Sequence, residues 1–92
     1  MTTLMKDELE LQTKKVLKLA LQKKSIHVHG YLDTLIKKLE GLLKDLKVKV
    51  LQVIKDKSPV KGALRAYLET NLVESYQEPL VIELDALETM LS

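Results

Sequence analysis

Ninety-two residues, 46% of them apolar, make one domain (residues 1–92) with a modest core. There is no cysteine, which excludes disulfides and thiolate metal sites and suits a cytoplasmic protein. The net charge of +2 is too small to demand a polyanionic partner, and no apolar run approaches the ~20 residues of a membrane span.

Twenty residues are leucine, the 3% of aromatic residues are all tyrosine, and there are three glycines and two prolines. Leucine favours helix, and the Phe and Trp common in strands are missing. The composition therefore predicts an all-α fold with short connections. The amino end, Met1 to Glu8, does not read as a signal peptide, because no basic segment precedes an apolar one.

The first helix is predicted over about 4–24. Thr2 or Thr3 can cap it, and Lys23 and Lys24 suit its negative end. Met5, Leu9, Val16, Leu17, Ala20 and Leu21 form one broad face, widened by Leu11 and Leu19. Ser25 to Gly30 is the first connection, and a short turn there sets the first two helices antiparallel.

The second helix, about 31–56, carries the strongest pattern. Leu32, Leu35, Leu39, Leu42 and Leu46 step by 3, 4, 3 and 4, with Ile36, Leu43, Val50, Val53 and Ile54 alongside. Lys47-Val48-Lys49-Val50 alternates like a strand, but a strand without a partner is improbable, so it is read as helix. Gly41 costs this helix ~1 kcal/mol relative to alanine unless it marks a close helix approach.

Ser58-Pro59 is the clearest helix start, a serine cap followed by a proline that needs no partner for an N–H. The third helix is predicted over about 59–77, burying Ala63, Leu64, Tyr67, Leu68, Leu72 and Val73, with Tyr76 below them. Pro79 either opens a fourth helix over about 79–91 or kinks one long helix. A break is favoured, with Leu80, Leu84, Leu87 and Leu91 as the buried stripe of the last helix. The expected architecture is a small antiparallel bundle of four helices, or three if Pro79 only kinks.

Charge is distributed unevenly. Residues 1–13 carry one lysine against three acids, and residues 14–65 carry thirteen lysines and Arg65 against four acids. Residues 66–92 carry six acids and no base. A basic middle and an acidic tail either pair within the molecule or set the register of a dimer or partner.

The only histidines, His27 and His29, lie two apart near Asp33. They read as loop imidazoles, since no fourth ligand accompanies them, and no metal or other cofactor is expected. No glycine-rich loop, Glu/His pairing of the di-iron kind or serine triad context is present, so no catalytic residue is assigned and no enzyme is expected. Lys14, Lys15, Lys18, Lys23, Lys24, Lys37 and Lys38 form the one candidate binding face. With a single arginine and no interleaved aromatics, this face fits nucleic acid poorly.

In length, helix count and lack of cysteine the chain resembles small cytoplasmic four-helix proteins of bacteria, among them bacteriocin immunity proteins and helical secretion or flagellar chaperones. This is a likeness of architecture, and no residue role carries over from it. The function expected is a non-enzymatic module that binds another protein, with a homodimer as one form. The rival is a nucleic-acid-associated protein using the lysines of the first two helices.

Overall fold

The computed structural model describes residues 2–27, 29–49, 51–56, 58, 60–70, 72–73, 75 and 77–91, with the side chains of residues 2–5 set aside. The expected roles of Thr2, Thr3, Met5, Val50, Pro59 and Tyr76 lie outside these descriptions. The fold is all-α. Five helices follow in order: α1 (Thr2–Ile26), α2 (Gly30–Val48), α3 (Leu51–Asp56), α4 (Ala63–Leu68) and α5 (Pro79–Leu91). No strand occurs among the described residues.

α1 meets neither glycine nor proline over its 25 residues and sets the 38 Å long axis of the molecule. At its end the Ser25 hydroxyl donates to the Gln22 carbonyl (2.6 Å) and the His27 N–H to that of Lys23 (2.9 Å), covering carbonyls that the helix leaves open. Leu9, Val16 and Ala20 are fully buried. Thr13 lies in the same stripe, its hydroxyl donating to the Leu9 carbonyl (2.6 Å) so that no polar atom is stranded.

α2 begins after His29, whose backbone is extended and whose Nδ1 accepts the N–H of Tyr31 (3.1 Å). The imidazole thus works as a helix cap. Leu32, Leu35, Ile36, Leu39, Leu42 and Leu46 are all buried, as their spacing predicts. The expected continuation to residue 56 is corrected. Lys49 is extended (φ −113°, ψ 154°), and a separate α3 follows. The β-branched Val48 is a weak helix former, and the strand-like preference read at 47–50 emerges as this break. Beyond it Ile54 is buried but Val53 is exposed.

The third helix is also shorter than expected. It does not begin near Ser58. The Ser58 hydroxyl accepts the Val60 N–H (3.3 Å) in a tight turn, and Gly62 in the left-handed region (φ 81°) precedes α4. At the other end Thr70 donates to the Tyr67 carbonyl (2.7 Å) and accepts from the Leu72 N–H (3.2 Å), which offers the backbone an alternative to the next helical turn. Ala63, Tyr67 and Leu72 are still buried, with Leu64, Leu68 and Val73 packed against the core. Pro79 opens a separate helix, and Leu80, Val81, Leu84, Leu87 and Leu91 face inward.

α1 is the hub, packing against both α2 and α5, while α4 leans on α5. Gln12 donates to the Glu83 carbonyl (2.8 Å) and carboxylate (3.0 Å), and Lys23 reaches Glu78 (3.3 Å), so α1 and α5 run antiparallel. The Lys24–Asp33 ion pair, at the end of α1 and the start of α2, sets those two antiparallel as well. Buried side chains from all five helices join one core.

Candidate functional site

Among the described residues, two polar groupings and two concavities bring side chains together. The first grouping joins α1, α2 and α4 with Glu78, the residue just before α5. The Glu78 carboxylate accepts from the Tyr67 hydroxyl and from Lys23 Nζ (3.3 Å), with both charged side chains only 12% exposed. Tyr31 stacks on Tyr67 with ring centroids 6.4 Å apart, and its hydroxyl donates to the Ala63 carbonyl (2.8 Å). Burial, and then the Glu88 carboxylate, raise the Tyr31 phenol above its ordinary value. Every polar atom in this cluster is engaged in holding helices together, so it reads as a staple for α4.

The second grouping was the histidine trio. His27 is half-buried at the end of α1, His29 caps α2, and the Asp33 carboxylate is taken by Lys24. Among the described residues no three His, Cys, Asp or Glu side chains gather as a cation would require. The larger concavity, about 690 Å³, is a half-open groove lined by Gln52, Lys55, Asp56, Ser58, Lys61, Gly62, Glu88 and Leu91. Its two lysines face two carboxylates, and Glu88 is already accepting the Leu64 N–H (3.3 Å). Nothing there converges on one point.

The lysine face divides when folded. Lys15 points to Glu83 (3.8 Å) and Lys23 to Glu78, so these two are turned toward α5. Lys38 is half-buried on the side of α2 away from Lys37. The remaining four come together. Lys14, Leu17, Leu21 and Lys24 recur on α1 at steps of 3, 4 and 3, which places them along one side, with Lys18 beside them. The Lys24–Asp33 pair shows that this side borders α2. On α2, Asp33, Lys37, Glu40 and Lys44 recur at steps of 4, 3 and 4 on the solvent side, opposite the buried leucines. The outward faces of the two helices carry Lys14, Lys18, Lys24, Lys37 and Lys44 and meet at the Lys24–Asp33 pair, the α1–α2 seam.

No family model, curated protein or solved structure matches the chain. The seam therefore stands on its own geometry. A shallow groove of about 480 Å³ runs along the outer side of α1, lined by Lys14, Leu17, Lys18, Leu21, Gln22 and Ser25. Leu21 is 49% exposed and Leu11, one turn before Lys14, is 68% exposed. Both were expected to face inward and do not. Thr13 takes a position in the buried stripe, and a helix with leucine on every side cannot bury them all. Lys14 pairs with Glu10 (3.5 Å) and Lys24 with Asp33, while Lys18, Lys37 and Lys44 have no ion-pair partner among the described residues. Exposed leucine beside Lys18, which has no ion-pair partner among the described residues, is a surface that can take up apolar area.

Of the seven lysines expected on one face, Lys15 and Lys23 are turned toward Glu83 and Glu78, Lys38 is half-buried, and Lys14, Lys18, Lys24 and Lys37 are exposed.

Proposed function

We propose that the protein is a non-enzymatic interaction module that docks another protein along the α1–α2 seam. The observation that carries this reading is the partly exposed Leu21, set beside Leu17 in a groove whose cations are only in part matched by local acids. A lone exposed leucine is ordinary on a folded surface; Leu21 supports docking because it adjoins Leu17 in one groove. The absence of convergent polar groups in either concavity supports a binding role over a catalytic one.

The rival reading, phosphate-backbone binding, draws less support from this arrangement. The seam interleaves Glu10, Asp33 and Glu40 with its lysines, and an unbroken cationic track would serve a polyanion better. No helix among the described residues is long and apolar enough to cross a membrane. A photo-crosslinking residue placed at Leu21 tests the proposal when compared with the same residue at Gln52. A discrete protein adduct from position 21, lost when Lys18 and Lys37 are reversed to Glu, supports docking. Adducts to nucleic acid, or equal labelling from both positions, overturn it.

A further inference from the structure

The short helix α4 is held in place by side-chain bonds to its neighbours. Its six residues are too few to stand as a helix alone, because nucleation costs more than so short a run returns. Its outer side carries Arg65 and Glu69, an i,i+4 pair open to solvent (3.5 Å). Its inner side is tied at three points. The Tyr31 hydroxyl of α2 donates to the Ala63 carbonyl (2.8 Å), the Leu64 N–H donates to Glu88 of α5 (3.3 Å), and the Tyr67 hydroxyl donates to Glu78. Breaking these ties interrupts no backbone hydrogen bond within α1, α2 or α5.

We infer that α4 is a hinged cover: residues 63–70 open as one unit while α1, α2 and α5 stay folded. The hinges are Gly62, in the left-handed region, and Thr70, whose own hydrogen bonds turn the chain after Tyr67. Opening costs the three ties and the burial of Ala63 and Tyr67. Global unfolding costs the whole core as well, including the packing of α1 on α2 and α5. Opening uncovers the Tyr31 ring, which stacks on Tyr67 in the closed form (6.4 Å between centroids). It also uncovers the side of α5 that carries Leu84 and Val81, one and two turns before Glu88. This apolar face is hidden in the closed protein and is distinct from the outer leucines of α1.

Native-state hydrogen exchange of the full chain, read by NMR across low urea, tests the cover. The Ala66, Glu69 and Thr70 amides are hydrogen-bonded in the closed form. They are expected to share one opening constant, at least ~10-fold larger than that of the Leu35, Leu39 and Leu42 amides. Tyr67→Phe removes a tie that is broken in the open and in the unfolded state alike. It should speed both sets of amides ~10-fold, and Tyr31→Phe should act in the same direction. Val16→Ala weakens the core that the open state keeps. It should speed the α2 amides ~10-fold and leave the α4 amides within ~2-fold.

Equal acceleration of the α4 and α2 amides by Val16→Ala overturns the inference, because α4 would then open only when the whole chain unfolds. One opening constant common to both sets overturns it for the same reason. Rates in α4 that differ from residue to residue and respond neither to urea nor to Tyr67→Phe also overturn it, since single amides would be fluctuating independently.

Discussion

Single residues in this protein separate local backbone demands from packing. Gly62 sits at φ 81°, a region that a β-carbon disfavours, whereas Gly41 is an ordinary helical residue. A methyl group built at Gly41 would meet nothing within 4 Å, so no neighbouring helix needs that space. Gly41→Ala is therefore expected to raise stability by ~0.5–1 kcal/mol, from helix propensity and a less flexible unfolded chain. Gly62→Ala should lower it by ~1 kcal/mol or more. Urea denaturation of both variants checks the pair, and a loss at Gly41 would mean that another element packs there.

Asp33 supplies the pH dependence of the seam. The hydrogen bond from Lys24, its charge, and a smaller contribution from Lys37 hold the Asp33 carboxyl below the usual carboxylate range. A depressed carboxylate stabilises the fold fully above the unfolded-state value and loses that contribution as pH falls through the lower, folded value. The pair should thus weaken only in acid, below the pH at which free aspartate titrates. Because Asp33 is open to solvent, salt will shrink the effect. Carboxyl shifts followed by NMR across an acid titration are expected to show a low Asp33 midpoint that returns toward the usual range in Lys24→Met. An unchanged midpoint in that variant would assign the shift to something other than Lys24.

At the level of helices, the leucine period carried most of the information. The 3, 4, 3, 4 steps of α2 placed Leu32, Leu35, Leu39, Leu42 and Leu46 in the core, and Pro79 was correctly taken as a break. Leu39→Ala is expected to cost ~2–5 kcal/mol, as for other buried leucines. Leu11→Ala, at a 68% exposed site in an equally leucine-rich helix, should cost under ~0.5 kcal/mol. Equal losses would mean that α1 is rotated relative to its partners.

The helix ends were harder to see, for local reasons. Val48 and Lys49 stop α2 through a backbone preference that the surrounding leucine pattern hides, and Thr70 ends α4 through hydrogen bonds made by its own side chain. The face of α1 was hardest. Leu9, Leu11, Leu17, Leu19 and Leu21 surround that helix, so its rotation depends on what α2 and α5 offer, which no local window contains. His29 as a cap was hidden too, since histidine is not among the usual capping residues.

Over the whole molecule, α1 carries two duties. Its inner stripe joins α2 and α5 in one core, and its outer stripe is left with Leu11, Leu21 and Ile26 exposed. The charge asymmetry divides in the same way. Lys15 meets Glu83 of α5 at the surface and Lys23 meets Glu78 just before α5, which is the intramolecular use of the acidic tail. Lys18, Lys37 and Lys44 are left over on the outward faces of α1 and α2, without an ion-pair partner among the described residues. The seam's lysines were visible in the sequence as a run of cations. Their sorting into two groups was not, because it follows from the antiparallel placement of α5.

The central claim is that the core closes around α1 while the leucines on its outer side remain open. Solvent paramagnetic relaxation of methyl signals, using a neutral gadolinium chelate on methyl-labelled protein, tests this most directly. The expected result is strong broadening at Leu11, Leu21 and Ile26, with Leu9, Leu35, Leu39 and Leu84 spared. Protection of Leu11 and Leu21 equal to that of Leu39 at low protein concentration would contradict the account, because the surface proposed for docking would already be covered.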